Sequence, residues 1–435
     1  MRGLSSFLLR HIRSDIVGFT LILSQTAIAW AQEGATAQLR GMVTDPSSAV
    51  VVSAQVTARD TATGFTRTTQ STDLGYILTT LPPGTYAVTV EAKGFASLEA
   101  PNVELTVGQQ ATLDLALQVA GTRETITVNL EPSVVEPTRT GLSQVIAERQ
   151  IENLPINGRQ FLDFVLLTPN VHSGRSALGN QVRGGEPDQI DISFAGLNEV
   201  ASSITVDGAN NMNRFFQRSR SVPSQEAVRE FRVLNAGFGA EYGMAAGGVV
   251  NIATKSGANQ LHGSLYYFLR NNALDAHDIL TPPGFDQLRQ NQFGGTLGGP
   301  IIKKQLFLFG NYEGQRRAES PFYSSVLLNN LSAINAVKQA LGLSSEVLEG
   351  KLRQTNYDSV TLRSDYQVRG SDQLALIYRF RNDRDTNLNS SSEQLSAPSN
   401  FRNARIQDNT LVGDWTSTYG TSLVNKALFH PRDHA

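Results

Sequence analysis

The sequence contains no cysteine, so neither a disulfide framework nor a thiolate metal site is available, and cysteine usage leaves the redox compartment open. An excess of one charge is also missing: 37 Lys and Arg stand against 39 Asp and Glu, a formal charge of -2. Phosphate backbones are bound by concentrated basic residues, so this balance gives no reason to expect nucleic acid as a partner. Long apolar runs are scarce. The run over residues 16–28 falls short of the ~20 residues that a spanning helix needs, and no later stretch is apolar enough for one. Entry into a membrane is therefore expected only as a β-barrel.

Histidine is thin as well. Of His11, His172, His262, His277, His430 and His434, only His430 and His434 lie close together, and a polar tail with Pro431 between them cannot hold three metal ligands in fixed geometry. No G-x-S-x-G elbow or H-E-x-x-H helix occurs. The expectation is a chain that is not an enzyme and has no catalytic residue, no metal site and no cofactor.

What is present begins with an export signal. Arg2, Arg10, His11 and Arg13 precede the apolar run, and Ala29-Trp30-Ala31 closes it before Gln32. That order reads as a cleaved secretory signal over residues 1–31. With 435 residues and 40% hydrophobic content, the remainder has room for two or three folded units.

From residue 36 to about 120 the chain is a series of short alternating strands split by turns, which predicts a small β-sandwich. Leu81-Pro82-Pro83-Gly84 is expected to form a type II turn with Gly84 at positive φ. After it, Tyr86, Val88 and Val90 alternate with Ala87, Thr89 and Glu91, as a half-buried strand does. Gly41-Met42-Val43-Thr44-Asp45-Pro46, Asp73-Leu74-Gly75-Tyr76 and Lys93-Gly94-Phe95 resemble the carboxypeptidase regulatory-like domain, a non-catalytic sandwich of transthyretin or immunoglobulin type.

A linker with Gly121, Pro132 and Pro137 follows over residues 121–140. Within it Glu124-Thr125-Ile126-Thr127-Val128 is similar to a TonB box, an extended segment that pairs with the edge of a partner's sheet; the same five residues also read as the last strand of the sandwich. Residues 141–257 change to mixed α and β, with a helix expected from Gln144 to Leu154, stopped before Pro155. Asn157-Gly158-Arg159 after Leu154-Pro155-Ile156, then Arg183-Gly184 and Val206-Asp207-Gly208, resemble a transporter plug domain; Asp207-Gly208 is also a hairpin turn in its own right. Gly247-Gly248-Val249-Val250-Asn251-Ile252-Ala253-Thr254-Lys255-Ser256-Gly257 resembles the plug-to-barrel junction of Oar-like receptors.

Over residues 258–435 the pattern becomes long amphipathic strands. Leu261, Leu265, Tyr267 and Leu269 share one face, and Val360, Leu362, Tyr366 and Val368 alternate with Thr361, Arg363, Asp365 and Gln367. This is the dyad of a transmembrane barrel, apolar to lipid and polar to the lumen, with Tyr378, Trp415 and Tyr419 available for interfacial girdles. A large soluble sandwich carries the same alternation. Arg270-Asn271-Asn272-Ala273-Leu274-Asp275 and Asn291-Gln292-Phe293-Gly294-Gly295-Thr296-Leu297-Gly298-Gly299-Pro300 resemble the opening hairpins of Oar-like barrels.

The fold class expected is mainly β: a sandwich, an α+β plug, and the first strands of an incomplete antiparallel transmembrane barrel. The resemblance implies a TonB-dependent outer-membrane receptor, with three partners: TonB of the inner membrane, an unidentified extracellular ligand, and outer-membrane lipid if the barrel is completed. The alternative is a secreted or surface-attached β-rich binding protein that never inserts. About seven strands are visible where a barrel around a plug uses about 22, so the chain is expected to be an N-terminal fragment, a frameshift or a truncated product that does not transport as given.

Overall fold

The computed structural model describes residues 35–120, 126–127, 141–156, 159–173, 192–197, 201–213, 218–239, 242–243, 245–276, 286–321, 323–369, 372–388, 397–419 and 423–431. The export signal, Glu124, Thr125, Val128, Asn157, Gly158, Arg183, Gly184, His277 and His434 lie outside them.

The first unit comprises β1 (Ala37–Gly41), β2 (Val43–Thr44), β3 (Gln55–Asp60), β4 (Thr66–Gln70), β5 (Tyr76–Leu81), β6 (Gly84–Glu91), β7 (Leu98–Leu105), β8 (Gln110–Thr112) and β9 (Leu115–Ala116). A three-stranded sheet in the order β5-β1-β8 faces a larger one that runs β7-β6-β3-β4. Their inner faces share one core that includes Leu39, Val56, Leu78, Tyr86, Val88, Val90, Leu105 and Leu115. Along β6 the expected alternation is present: Tyr86, Val88 and Val90 are buried while Glu91 is exposed. The turn before it differs from expectation. Gly84 is already the first residue of β6, is not among the positive-φ glycines, and would bring a Cβ to 2.5 Å from Asp60 Oδ2. Glycine is needed there for close approach rather than for a left-handed turn. Ile126 and Thr127 form β10 (Ile126–Thr127), paired in parallel with Leu98 and Glu99 at the edge of the larger sheet.

The second unit contains β11 (Leu142–Ile146), β12 (Val171–Ser173), β13 (Ile192–Phe194), β14 (Ser202–Val206), β15 (Ala209–Asn210), β16 (Met212–Asn213), β17 (Arg218–Ser219), β18 (Val228–Ala236) and β19 (Gly248–Thr254). Its main sheet runs β11-β18-β19-β14-β15. The helix expected over residues 144–154 is shorter, Glu148–Asn153, because residues 142–146 instead pair antiparallel with β18. Ladder hydrogen bonds to β18 thus override the local helical pattern. Asp207 and Gly208 form the β14–β15 hairpin turn, with φ of 51° and 80°, both positive as a type I′ turn requires. A second core joins Ile146, Ile151, Phe161, Phe164, Val206, Phe231, Val250 and Ile252.

The third unit is an antiparallel sheet of β20 (His262–Asn271), β21 (Leu288–Ile302), β22 (Leu306–Glu319), β23 (Arg353–Arg369), β24 (Asp372–Leu388), β25 (Arg402–Tyr419) and β26 (Leu423–Phe429), paired in chain order. The sheet is open, with β20 and β26 at its edges. At one end the connections are short (303–305, 370–371, 420–422); at the other they are long (272–287, 320–352, 389–401), and one of these carries the helix Ser325–Ala340. Strands of 17 residues in β23 and β24 exceed the ~9 to 11 needed to cross hydrocarbon, so they are long enough to do so with residues to spare. Leu265, Leu362, Leu374 and Leu376 are exposed on the outer face, whereas Thr361, Asp365, Arg379, Asn311 and Glu313 are buried on the inner one. Among the described residues no helix is long and apolar enough to cross a membrane, which leaves strands as the only described elements able to do so.

The sandwich lies at the short-turn end. Asn259 Nδ2 donates to the carbonyls of Ala62 and Thr63 at 3.0 and 2.7 Å, its Oδ1 accepts from the Lys304 amide at 2.7 Å, and Arg67 donates to the Thr418 hydroxyl.

We infer from its separate core that the segment 36–120 folds alone. Expressed by itself, it is expected to be a soluble monomer with a β-type circular dichroism spectrum and one cooperative melt. Leu39→Ala, which empties a fully buried position, should cost about 2 to 5 kcal/mol in chemical denaturation. A random-coil spectrum for the parent segment would refute its autonomy.

Candidate functional site at the interface of plug and wall

The inner face of the curved sheet holds the second unit by polar contacts. Asp207, at the tip of the β14–β15 turn, accepts from the Thr254 amide and hydroxyl, each at 3.0 Å, and from Arg363 Nη1 of β23 at 3.1 Å. Arg363 is fixed from its other side by Asp365, with Nε to Oδ2 and Nη2 to Oδ1 both at 2.9 Å. One guanidinium therefore spans a wall carboxylate and a plug carboxylate, a use of its planar fork that lysine could not reproduce.

A second set lies farther along the wall. Asn211, 1% exposed, accepts from Arg379 Nη2 of β24 at 3.0 Å and donates to the carbonyls of Arg220 and Ser221 at 3.2 Å. Asp408 of β25 pairs with Arg220 and accepts from the Ser221 hydroxyl at 2.6 Å. Ser224 donates to Asn311 Oδ1 of β22 at 2.6 Å.

The third set involves Arg159, the described residue of the Asn157-Gly158-Arg159 motif. Its φ of 58° is a left-handed conformation uncommon for arginine and worth a functional reading. Its guanidinium pairs with Glu226 at 2.6 Å and lies 5.0 and 4.2 Å from the ring centres of Tyr266 and Phe268 on β20, within cation–π range. The Tyr266 and Tyr357 hydroxyls both donate to Glu313 at 2.7 Å. Gly294 makes room for this: a Cβ there would meet Tyr266 Oη at 2.6 Å.

At the short-turn end, Lys255 Nζ lies 2.8 Å from Glu148 and 2.9 Å from Glu152. Burial would lower its ammonium, but the hydrogen bonds and charges of the two glutamates outweigh that and hold it above its ordinary value. A cavity of about 410 Å³ opens where the three units meet, bordered by Asp60, Arg229, Lys255, Arg363 and Gln373. Among the described residues, one small buried apolar cluster joins plug and wall: Ala209, Ala375, Ile377 and Val412, with Leu428 packed against it. Among the described residues, the plug core contains none from the seven-stranded sheet.

Such an interface can be opened without exposing a hydrophobic core, since water replaces each lost hydrogen bond at modest net cost. No described His, Asp or Glu cluster has the geometry to hold a metal ion.

Parts of the chain match known proteins. Residues 38–118 match the carboxypeptidase regulatory-like domain and residues 253–333 the outer membrane beta barrel domain. The TonB-dependent transporter Oar of Myxococcus xanthus is 24% identical over 250 residues, covering 54% of this chain and 22% of that protein. The chain is a homologue of the TonB-dependent receptors. The probable TonB-dependent siderophore receptor PirA of Acinetobacter baumannii is 34% identical over 205 residues, covering 43% of this chain and 24% of that protein. The chain thus spans about a quarter of the length of the curated relatives it matches. The crystal structure of the A. baumannii siderophore receptor PirA aligns with 64% of this chain and 38% of its own, at 19% identity and a TM-score of 0.45. A ferric enterobactin receptor of Pseudomonas aeruginosa aligns with 66% of this chain and 40% of its own, at 16% identity and a TM-score of 0.46.

Of the residues singled out in the sequence, Arg159, Asp207 and Gly208 are at the plug-to-wall contact, whereas Ile126 and Thr127 are on the sandwich. Arg363, Arg379, Asp408, Asn211 and Glu313 were not singled out as contact residues. Their signal is present for the strand residues, as charged side chains at lumen-facing positions of the dyad, but a plug partner 156 to 188 residues away leaves no local trace.

The Asp207 and Arg363 pair is expected to couple. In a double-mutant cycle with Asp207→Asn and Arg363→Gln, read by denaturant unfolding of the plug in the full chain, the interaction energy should fall between about 0.5 and 3 kcal/mol. Strict additivity of the two changes would mean that the pair does not hold the plug.

Proposed function

We propose that this chain supplies the plug and part of the barrel wall of a TonB-dependent outer-membrane receptor for an unidentified ligand. The observation that carries this reading is the two-faced sheet: leucines at alternate positions face outward, and the intervening Arg363, Asp365 and Arg379 face a plug that is held by hydrogen bonds. The seven strands described leave the sheet open, so the proposal concerns a component of such a receptor. It enters the envelope through the secretory signal at residues 1–31, cleaved after Ala31.

In outer-membrane barrels the short turns face the periplasm and the long loops face outward. On that rule the sandwich and Lys255 lie on the periplasmic side, and the loop over residues 320–352 with its helix lies on the ligand side. The loop has a fixed shape: Tyr323 stacks on Phe401 with ring centres 6.3 Å apart, and Glu346 accepts from Lys338 and Ser399. Work comes from TonB, which draws on the plug from the periplasmic side; no covalent reaction is involved. Relatives named as transporters and siderophore receptors support this class of activity rather than an enzymatic one.

The TonB contact is assigned to residues 124–128. Ile126 and Thr127 are extended and sit at a sheet edge, the state from which a backbone can pair with another sheet. Ile126→Pro removes an amide donor and fixes φ. It is expected to weaken binding to a purified TonB C-terminal domain at least tenfold, measured by titration calorimetry. Unchanged affinity would place the contact elsewhere.

A further inference from the structure

The turn between β7 and β8 of the sandwich inserts against the plug. Val107 lies between β7 and β8 and is fully buried, yet it is not part of the sandwich core. Its amide donates to the Glu230 carboxyl of β18 at 2.5 Å. Arg232, two residues along the same strand and so on the same face, donates from Nη1 to the Gly108 carbonyl at 3.1 Å. Gly108 has a φ of 62°, and a Cβ there would lie 3.6 Å from the Tyr242 hydroxyl and 3.7 Å from Arg232 Cδ. The turn is therefore seated closely on the plug, with a carboxyl group enclosed at the seam.

The charges around that carboxyl come from each element that packs on it. Arg229 and Arg232 flank it on β18, Glu104 faces it from β7, and Glu148 faces it from the plug helix, where Lys255 also holds Glu148.

We propose that docking of the sandwich on the plug is proton-linked: Glu230 takes up a proton as the turn seats, so the contact is tight in acid and loosens as the pH rises. Burial pushes the Glu230 carboxyl from its ordinary 4.5 up to about 7, against the downward pull of Arg229 and the Val107 amide and with the help of Glu104 and Glu148. When the turn leaves, water reaches the group and its ordinary value returns. A carboxyl raised in the docked state favours docking fully below about 4.5 and loses that contribution as the pH rises through about 7. Between those limits the docking constant falls roughly tenfold per pH unit. Acidification into this window clamps the sandwich and a rise above about 7 releases it.

The test is hydrogen exchange of the Val107 amide in the full chain in detergent, taken from pH 5 to 8 and expressed as protection relative to the intrinsic rate at each pH. Protection is expected to fall at least tenfold between pH 5 and 7 and then level off. Glu230→Gln keeps an oxygen acceptor for the amide and has no proton to lose, so its protection should be the same at every pH. A flat profile in the parent chain, or a fall that survives in Glu230→Gln, overturns the proposal.

Discussion

A strand that separates hydrocarbon from a folded polar domain must differ on its two faces residue by residue, because successive side chains point to opposite sides. β23 meets this constraint in its second half: Leu362 and Val368 face out, while Thr361, Arg363 and Asp365 face in. A slip of one residue in its pairing with β22 or β24 would send Arg363 to the outer face and leave Asp207 of the plug without its cation. The long ladders that join β21 to β25 therefore fix more than the sheet. They set the height and direction of every side chain that grips the plug.

Given that wall, the polarity of the grip follows. A plug joined to the sheet by a continuous apolar core would be inseparable from it, since withdrawal would expose that core at roughly 25 cal/mol per Å². Here the plug keeps its own core around Phe161 and Phe231 and meets the wall through Asp207, Asn211, Arg220, Ser224 and Arg159. Each of these contacts has a replacement in water. The sandwich is attached in the same manner, by amides, carbonyls and single side chains at Asn259, Arg67 and Glu230, and sandwich and plug keep separate cores.

Much of this was legible in the sequence, because period-two alternation is a local property. The inner face of β6, the outer faces of β23 and β24, the Asp207-Gly208 turn and the number of wall strands could all be read from neighbouring residues. What could not be read depends on residues far apart. Gln144 to Ile146 read as the start of a helix and are instead part of a strand, because β18 offers a ladder. Gly84 looks like a turn glycine and is instead a gap for Asp60. The pairing of Arg363 with Asp207 joins positions 156 residues apart, and a guanidinium on a lumen-facing position indicates that it has a polar partner without naming it.

The sheet is two-faced, with the even-numbered positions of β23 turned away from the plug and the odd ones toward it. The chain has no cysteine, so single cysteines at each of residues 360–368 can carry a spin label without background. In the full chain in detergent, collision with dissolved oxygen, which concentrates in acyl chains, is predicted to oscillate with a period of two and to peak at 360, 362, 364, 366 and 368. Collision with a water-soluble nickel complex should be low at those same positions. High nickel collision at the even positions, as for a sheet whose leucines face water, would contradict the account.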